Sequence, residues 1–240
     1  MTSATVLWHD LECGGYAADL PLWRELAAAA EGPVLDVGAG TGRVALDLAK
    51  AGVPVVALDL DPELLAALAE RARGLPVDTV VADARDFALD RRFPLVLAPM
   101  QTVQLLGGEA GRLAFLRRVA AHLAPGGRLA CALADALEPF DPAGGALPVP
   151  DMREDGDRVL SSQPVRVRRD TDGWTIERVR QIVSARGEVE ASDDAVHLDA
   201  IDPATLEVEA ATAGLVPEPR RRVPETADHV GSEVVIARRG

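Results

Sequence analysis

Asp36, Gly38, Gly40 and Gly42 stand close together in the stretch PVLDVGAGTGR, residues Pro33 to Arg43. Glycine is a cost in any regular element, so three in five residues call for a reason, commonly a ligand that must approach the backbone. Two further acids keep a matching rhythm. Asp59 closes the apolar run VPVVALDL, 21 residues after Gly38, where a carboxylate accepts hydrogen bonds from ribose hydroxyls. Asp83 closes the next run, VVADARDF. On these residues alone the ligand is a nicotinamide or flavin dinucleotide, another nucleoside cofactor, or nothing beyond a tight turn. The triphosphate-cradling loop is a poorer fit, because its Lys followed by Ser or Thr is missing. Arg43 stands where a dinucleotide fingerprint needs a third small residue.

The elements that must hold these acids are legible from periodicity. Residues 17–30 carry Leu22, Trp23 and Leu26 on one helical face, and Gly32-Pro33 ends that helix. VLDV reads as a buried strand, Thr41 to Lys50 as a helix, and VPVVALDL as a second strand. Asp61-Pro62 opens a helix as N-cap and first-turn proline. VDTVVADA, FPLVLAPM and RLACALAD complete five buried strands, with a helix through Leu113, Leu116, Val119 and Leu123 before the last. Alternation of this kind predicts an α/β fold with a doubly wound, mostly parallel sheet and helices on both faces. After a Pro/Gly-rich stretch, VRVRR, WTIERVRQIV and VHLDAI keep period two and predict an antiparallel insertion. Asp202-Pro203 then starts a helix ending at Gly214, and SEVVIARR is a closing strand.

These boundaries predict one domain over residues 1–240. Residues 1–32 form an N-terminal lid and helix, 33–137 the cofactor-binding core, 138–201 the antiparallel insertion, and 202–240 a closing helix and strand. The net charge of −13 would repel a phosphate backbone, so nucleic acid is disfavoured as a partner. Cys13 and Cys131 are too few for a disulfide framework or a metal site. The N-terminus lacks the pattern of a signal peptide, and no apolar run has membrane-spanning length. A soluble protein of the reducing cytoplasm is expected.

In order, VLDVGAGTGR, VVALDLDPELL, VVADARDF, FPLVLAPMQTVQLL and LAPGGRLACALAD resemble the class I S-adenosylmethionine-dependent methyltransferases, small-molecule type. The resemblance implies a Rossmann-like sheet and S-adenosylmethionine as cofactor. Asp36, Gly38 and Gly40 would hold the methionine part, and Asp59 the ribose. Leu60 would pack on adenine, whose amino group Asp83 would accept, with the Ala84 amide alongside. Ala98, Pro99 and Met100 would line the passage where sulfonium meets acceptor. The APMQ segment departs from the Asn/Asp-Pro-Pro-Tyr signature of enzymes that methylate planar amines, which favours small molecules.

Methyl transfer from a sulfonium is an in-line displacement, in which the protein aligns the partners, excludes water and sometimes supplies a base. No catalytic residue is assigned. Candidate substrate residues are His9, Gln101, Gln104 and Asp135, while His122 and His197 read as structural or surface positions. Tyr16, beside Gly14-Gly15, reads equally as a lid over the methionine end or as a staple at a helix start, and residues 1 to about 20 are expected to order over bound cofactor. The insertion offers an acceptor-pocket wall or a homodimer contact, and Trp174 reads as packing. The competing functions are a cofactor-binding partner protein without turnover, and an enzyme using the same sulfonium for another alkyl transfer or a cyclisation.

Overall fold

The structure, a computed structural model, describes residues 3–134, 137–141, 143, 145, 147–226, 229 and 231–240. It separates into two compact units, Tyr16–Ala136 with Ile201–Gly240, and Met1–Gly15 with Leu137–Ala200.

In the larger unit the chain runs through α2 (Leu20–Ala28), β1 (Val34–Val37), α3 (Arg43–Lys50), β2 (Val55–Asp59), α4 (Pro62–Arg71) and β3 (Val77–Val81). It continues through β4 (Phe93–Ala98), a 3-10 turn (Thr102–Leu105), α5 (Gly108–His122) and β5 (Leu123–Leu133), then α6 (Pro203–Thr212), β10 (Leu215–Val223) and β11 (Ser232–Arg239). The sheet order is β10-β11-β5-β4-β1-β2-β3. β1 to β5 are parallel, and β11 lies antiparallel between β5 and β10. The chain leaves β1 toward β2 and β3, then returns to β4 on the other side, so the winding reverses between β1 and β4. A crevice at the carboxyl ends follows from that reversal.

Alternate residues of each strand feed different helical layers. Val34, Val55, Ala57, Leu95 and Leu97 pack with Trp23, Leu48, Leu65 and Leu68 from α2, α3 and α4. Leu35, Val56, Leu58, Val96 and Cys131 pack with Phe115, Leu116, Val119 and Leu206 from α5 and α6. The two Asp-Pro starts behave as predicted: Asp61 accepts from the Glu63 and Leu64 amides, and Asp202 from the Thr205 amide. A buried fork joins α5 to α6, with Arg112 Nε and Nη2 donating to Glu209 at 2.8 and 2.7 Å.

One strand of the larger unit is absent from the sequence reading. β10 contains Pro217 and Pro219, which cannot donate to a ladder, and it survives as an edge strand with a bulge between Glu218 and Arg221.

The smaller unit begins with α1 (Ala4–Cys13) and holds the antiparallel sheet β6 (Asp151–Asp155), β7 (Arg158–Arg169), β8 (Gly173–Val183) and β9 (Val189–Asp199). Neither α1 nor β6 was anticipated. Leu7 and Trp8 pack on Leu160 beside Ile182, and Glu12 accepts from both Arg180 Nε and Nη2 at 2.8 Å and from Ser162 Oγ at 2.7 Å. Trp174 is a packing residue, with the Arg169 guanidinium 5.2 Å from its ring centre.

Gly42 serves packing. Its φ is +95°, and a Cβ there would lie 2.2 Å from Leu68 Cδ1. Gly52 has φ +85° but open space around it. Gly52→Ala should therefore cost about 1–2 kcal/mol from backbone conformation alone. Gly42→Ala should cost about 1–3 kcal/mol more from overpacking. Urea unfolding of the two variants checks this; equal losses would mean that Leu68 yields freely.

Candidate functional site

Three carboxylates gather at the carboxyl ends of β1, β2 and β3. Asp36 takes the same side of β1 as Val34, facing the α2/α3 layer, and is 1% exposed. Neither of its oxygens has a hydrogen-bond partner. Burial pushes its carboxyl up to about 7; Arg43 and a loose approach of the Ala45 amide, outside hydrogen-bonding geometry, oppose the shift, while Asp59 and Asp19 add to it. Arg43 does not pair with Asp36, because it is already committed. Its Nη1 and Nη2 donate to Asp19 at 2.5 and 2.8 Å, and Nη1 also donates to the Tyr16 carbonyl at 2.8 Å. Trp23 Nε1 donates to the same Asp19 at 2.8 Å.

This buried pair fastens residues 16–23 to the start of α3. Tyr16 is buried under the Arg43 guanidinium, 5.2 Å from its ring centre. Its hydroxyl makes no well-formed hydrogen bond, and burial, with the Asp19 charge, raises its pKa against the opposing pull of Ser232 and Arg43. The stretch expected to order as one lid over residues 1–20 is therefore divided. Tyr16 is already packed on the core, and the helix before Gly14-Gly15 belongs to the smaller unit.

The glycine loop turns its amides inward. Gly38 and Ala39 N–H both donate to the Leu58 carbonyl at 2.8 and 3.1 Å, and Gly42 N–H donates to Ala39 at 2.9 Å. Gly40 N–H donates to Asp59 Oδ2 at 2.8 Å, while Asp59 Oδ1 accepts from the Asp61 amide at 3.0 Å. These four loop amides are thus committed within the fold and are not offered to a pyrophosphate. Gly38, at φ +73°, leaves room for Thr102, whose Oγ1 would lie 2.6 Å from an added Cβ. Thr102 Oγ1 donates to the Pro99 carbonyl at 2.8 Å within the loop after β4, and its packing on Gly38 brings that loop against the loop after β1.

Leu60 follows Asp59 and is 64% exposed, an apolar surface next to polar anchors. Asp83 is half-buried and held well below the usual carboxylate range by hydrogen bonds from the Arg85 side chain and amide. Ala84 packs partly on the core. Pro99 is buried, and Met100 has φ 54°, a left-handed conformation that a side chain seldom adopts.

The remaining candidates separate. Gln104 is buried, its Nε2 donating to the Ala134 carbonyl at 3.2 Å and its Oε1 accepting from the Ala134 amide at 2.9 Å. It ties the 3-10 turn to the end of β5, a role unlike the acceptor contact expected of it. Gln101 is half-buried beside Met100, His9 is half-buried on α1 in the smaller unit, and Asp135 lies outside the described residues. His122 ends α5 but is buried, accepting at Nε2 from the Leu89 amide at 2.9 Å and donating at Nδ1 to the Arg118 carbonyl at 2.7 Å. His197 is exposed on β9. His229, which the sequence placed in the loop before the closing strand without ranking it as a base, has its ring centre 5.0 Å from that of Tyr16. Sequence reasoning missed Asp19, although an acid three residues after the sole tyrosine, with Arg43 on the loop, was a usable signal.

The comparisons agree with this geometry. Residues 34–127 match the family model described as a methyltransferase domain. Over that stretch the chain is similar to that family. The chain is 38% identical over 114 residues to the cypemycin N-terminal methyltransferase of a Streptomyces species, covering 47% of this chain and 45% of that protein. It is 36% identical over 113 residues to a dTDP-3-amino-3,6-dideoxy-alpha-D-glucopyranose N,N-dimethyltransferase of Streptomyces fradiae, covering 46% and 43%. Each match thus spans less than half the length of the curated relative. Among solved structures, the sugar N-methyltransferase KedS8 from Streptoalloteichus superposes with a TM-score of 0.75 at 23% identity, covering 100% of this chain and 94% of that one. SAM-bound CalS10, an amino pentose methyltransferase from Micromonospora echinaspora, gives 0.74 at 23% identity, covering 98% and 97%. These likenesses establish the fold.

Asp36 also makes a stability prediction. Its folded carboxyl holds a proton that the unfolded chain releases near pH 4, so ionisation opposes folding. Stability from this group falls as pH rises from about 4 to about 7, then levels off. Asp36→Asn should remove that slope and gain on the wild type across the window, by on the order of a few kcal/mol. Urea midpoints at three pH values measure it; parallel curves would contradict the assignment.

Proposed function

We propose that the chain is an S-adenosylmethionine-dependent methyltransferase acting on a small-molecule nucleophile, with an amine the favoured acceptor. One observation carries the reading: a buried carboxylate without a partner stands beside a glycine loop whose amides are turned inward. That site repels a dinucleotide pyrophosphate and suits a ligand bearing an ammonium and a sulfonium. The relatives' names, an N-terminal and an amino-sugar N-methyltransferase, support the amine.

S-adenosylmethionine, when bound, supplies an electrophilic methyl group and a neutral thioether leaving group. Asp36 pairs with the methionine ammonium, Asp59 keeps lone pairs for the ribose hydroxyls, and Asp83 accepts from the adenine amino group. Leu60 covers the adenine face. Tyr16 closes the methionine end and, with its ring against Arg43, keeps water from the sulfonium. Pro99 and the left-handed Met100 shape the approach of the acceptor, which Gln101 is placed to orient. In the displacement, a nitrogen lone pair forms the new N–CH3 bond as the S–CH3 bond breaks, and the methylated ammonium then releases its proton to water or to a base. His229 is the described imidazole beside Tyr16 and is our candidate for that base.

Both units serve this one activity, in the cytoplasm and without a nucleic-acid partner. No helix among the described residues is long and apolar enough to cross a membrane. The smaller unit, with Val149 and Met152 89% and 61% exposed, carries a homodimer contact.

Calorimetric titration with S-adenosylhomocysteine and NADH tests the cofactor: the first should bind and the second should not, and the reverse ends the proposal. Asp59→Ala should weaken S-adenosylhomocysteine by about 1–3 kcal/mol through lost charge-assisted bonds. Radiolabelled methyl from the cofactor should enter a small-molecule fraction, and label confined to protein or RNA would refute the acceptor class. Sedimentation should show a dimer that Val149→Asp with Met152→Asp disperses; a wild-type monomer would refute the contact.

A further inference from the structure

Two buried acids compete for one arginine beside the glycine loop. Asp19 and Asp36 are each 1% exposed. Arg43 is near enough to Asp36 for its charge to oppose protonation of that carboxyl. Both nitrogens of its fork nevertheless go to Asp19, at 2.5 and 2.8 Å. The Trp23 indole adds a third bond to Asp19 at 2.8 Å, whereas neither oxygen of Asp36 accepts one. Asp19 also stands at the N-cap of α2 without capping it, so its carboxylate is given wholly to Arg43 and Trp23.

The order of preference follows from donor count. A move of Arg43 to Asp36 would strip two of three donors from a carboxylate buried away from solvent, which is the costly way to break a buried pair. The Nη1 bond to the Tyr16 carbonyl at 2.8 Å holds the guanidinium on the same side. An asparagine at position 19 would reverse the balance. It offers one oxygen where the fork needs two, and its amide would turn donors toward donors. Asp36 would then be the better partner, at the end of the strand where the winding reverses.

We propose that Asp19 is a positioning residue for the cofactor: by holding Arg43 in its fork, it keeps Asp36 open to the ligand's ammonium. Without that hold Arg43 closes on Asp36, and the finished ion pair has no charge left for a cationic ligand. Asp19 acts through Arg43 and not by contact with the ligand. The inference rests on the cofactor reading above. The charged groups that bear on Asp36 are Arg43 from α3, Asp59 at the end of β2 and Asp19 at the start of α2.

The test compares the full chain with Asp19→Asn and with the double variant Asp19→Asn, Arg43→Gln. Urea midpoints at pH 5 and pH 7 need no cofactor. The wild type should carry the fall due to Asp36 over this window, because that carboxyl keeps its proton in the fold. Asp19→Asn should lose the fall, since a carboxylate paired with Arg43 ionises in a lower range, and the double variant should regain it. Calorimetry at pH 7 gives the second readout. Asp19→Asn should weaken S-adenosylhomocysteine by about tenfold or more, and the double variant should recover most of that loss. A merely structural Asp19 gives another pattern: the fall stays in Asp19→Asn, or the double variant binds no better than the single one. Either result overturns the role. Should Asp19→Asn alone fail to fold, the double variant decides, because it buries neither charge. Binding close to wild type then supports the role, and a loss of about tenfold overturns it. Failure of the wild type to bind S-adenosylhomocysteine at all would instead strike the cofactor reading, with the midpoints still judging whether Arg43 moves.

Discussion

An unpartnered carboxylate in a dry interior is expensive, and proteins ordinarily pair it, hydrate it or protonate it. Asp36 sits in such a place because β1 is the central strand at the winding reversal, covered on both faces. The obvious cation, Arg43, is close enough to bias its ionisation but is forked onto Asp19. The fold therefore keeps an acceptor vacant at the carboxyl end of β1, at the cost of stability when no cation is present. A positively charged ligand relieves that cost on binding, whereas an anion would add to it.

The rest of the larger unit is arranged to hold that vacancy open. Asp19 does not cap α2, although it stands at the N-cap, since its oxygens are taken by Arg43 and Trp23. That choice fixes Tyr16 over the loop. Gly40 lends its amide to Asp59, whose other oxygen takes the Asp61 amide at the start of α4. Asp59, the glycine loop and the N-terminus of α4 are thus one hydrogen-bonded assembly. Thr102 fills the space Gly38 leaves, and Gln104 binds the end of β5. These contacts transmit the register of four parallel strands to the side chains at their ends.

Much of this was legible in the chain. Apolar runs between helical periods gave the parallel strands, and the Asp-Pro pairs marked two helix starts because side-chain capping is local chemistry. The acids at strand ends were visible for the same reason. What escaped depended on partners distant in sequence. β10 was hidden by Pro217 and Pro219, which only an edge position tolerates. α1 finds its burial against β7 and β8 of its own unit, through Leu7, Trp8, Leu160 and Ile182, while β6 is largely exposed and pairs with β7 at the sheet edge. Gly42 looked like a ligand glycine but yields to Leu68, and Gln104 looked like an acceptor contact but faces Ala134. Neither neighbour is predictable from local pattern.

Proton release on binding tests the central claim most directly. Calorimetry of S-adenosylmethionine binding at pH 6, in buffers of different ionisation enthalpy, counts the protons exchanged. If the cation claims the Asp36 carboxylate, a large fraction of one proton leaves at pH 6, dwindling by pH 8, and none leaves in Asp36→Asn. Binding with no proton release at pH 6, or the same release in Asp36→Asn, would contradict the account.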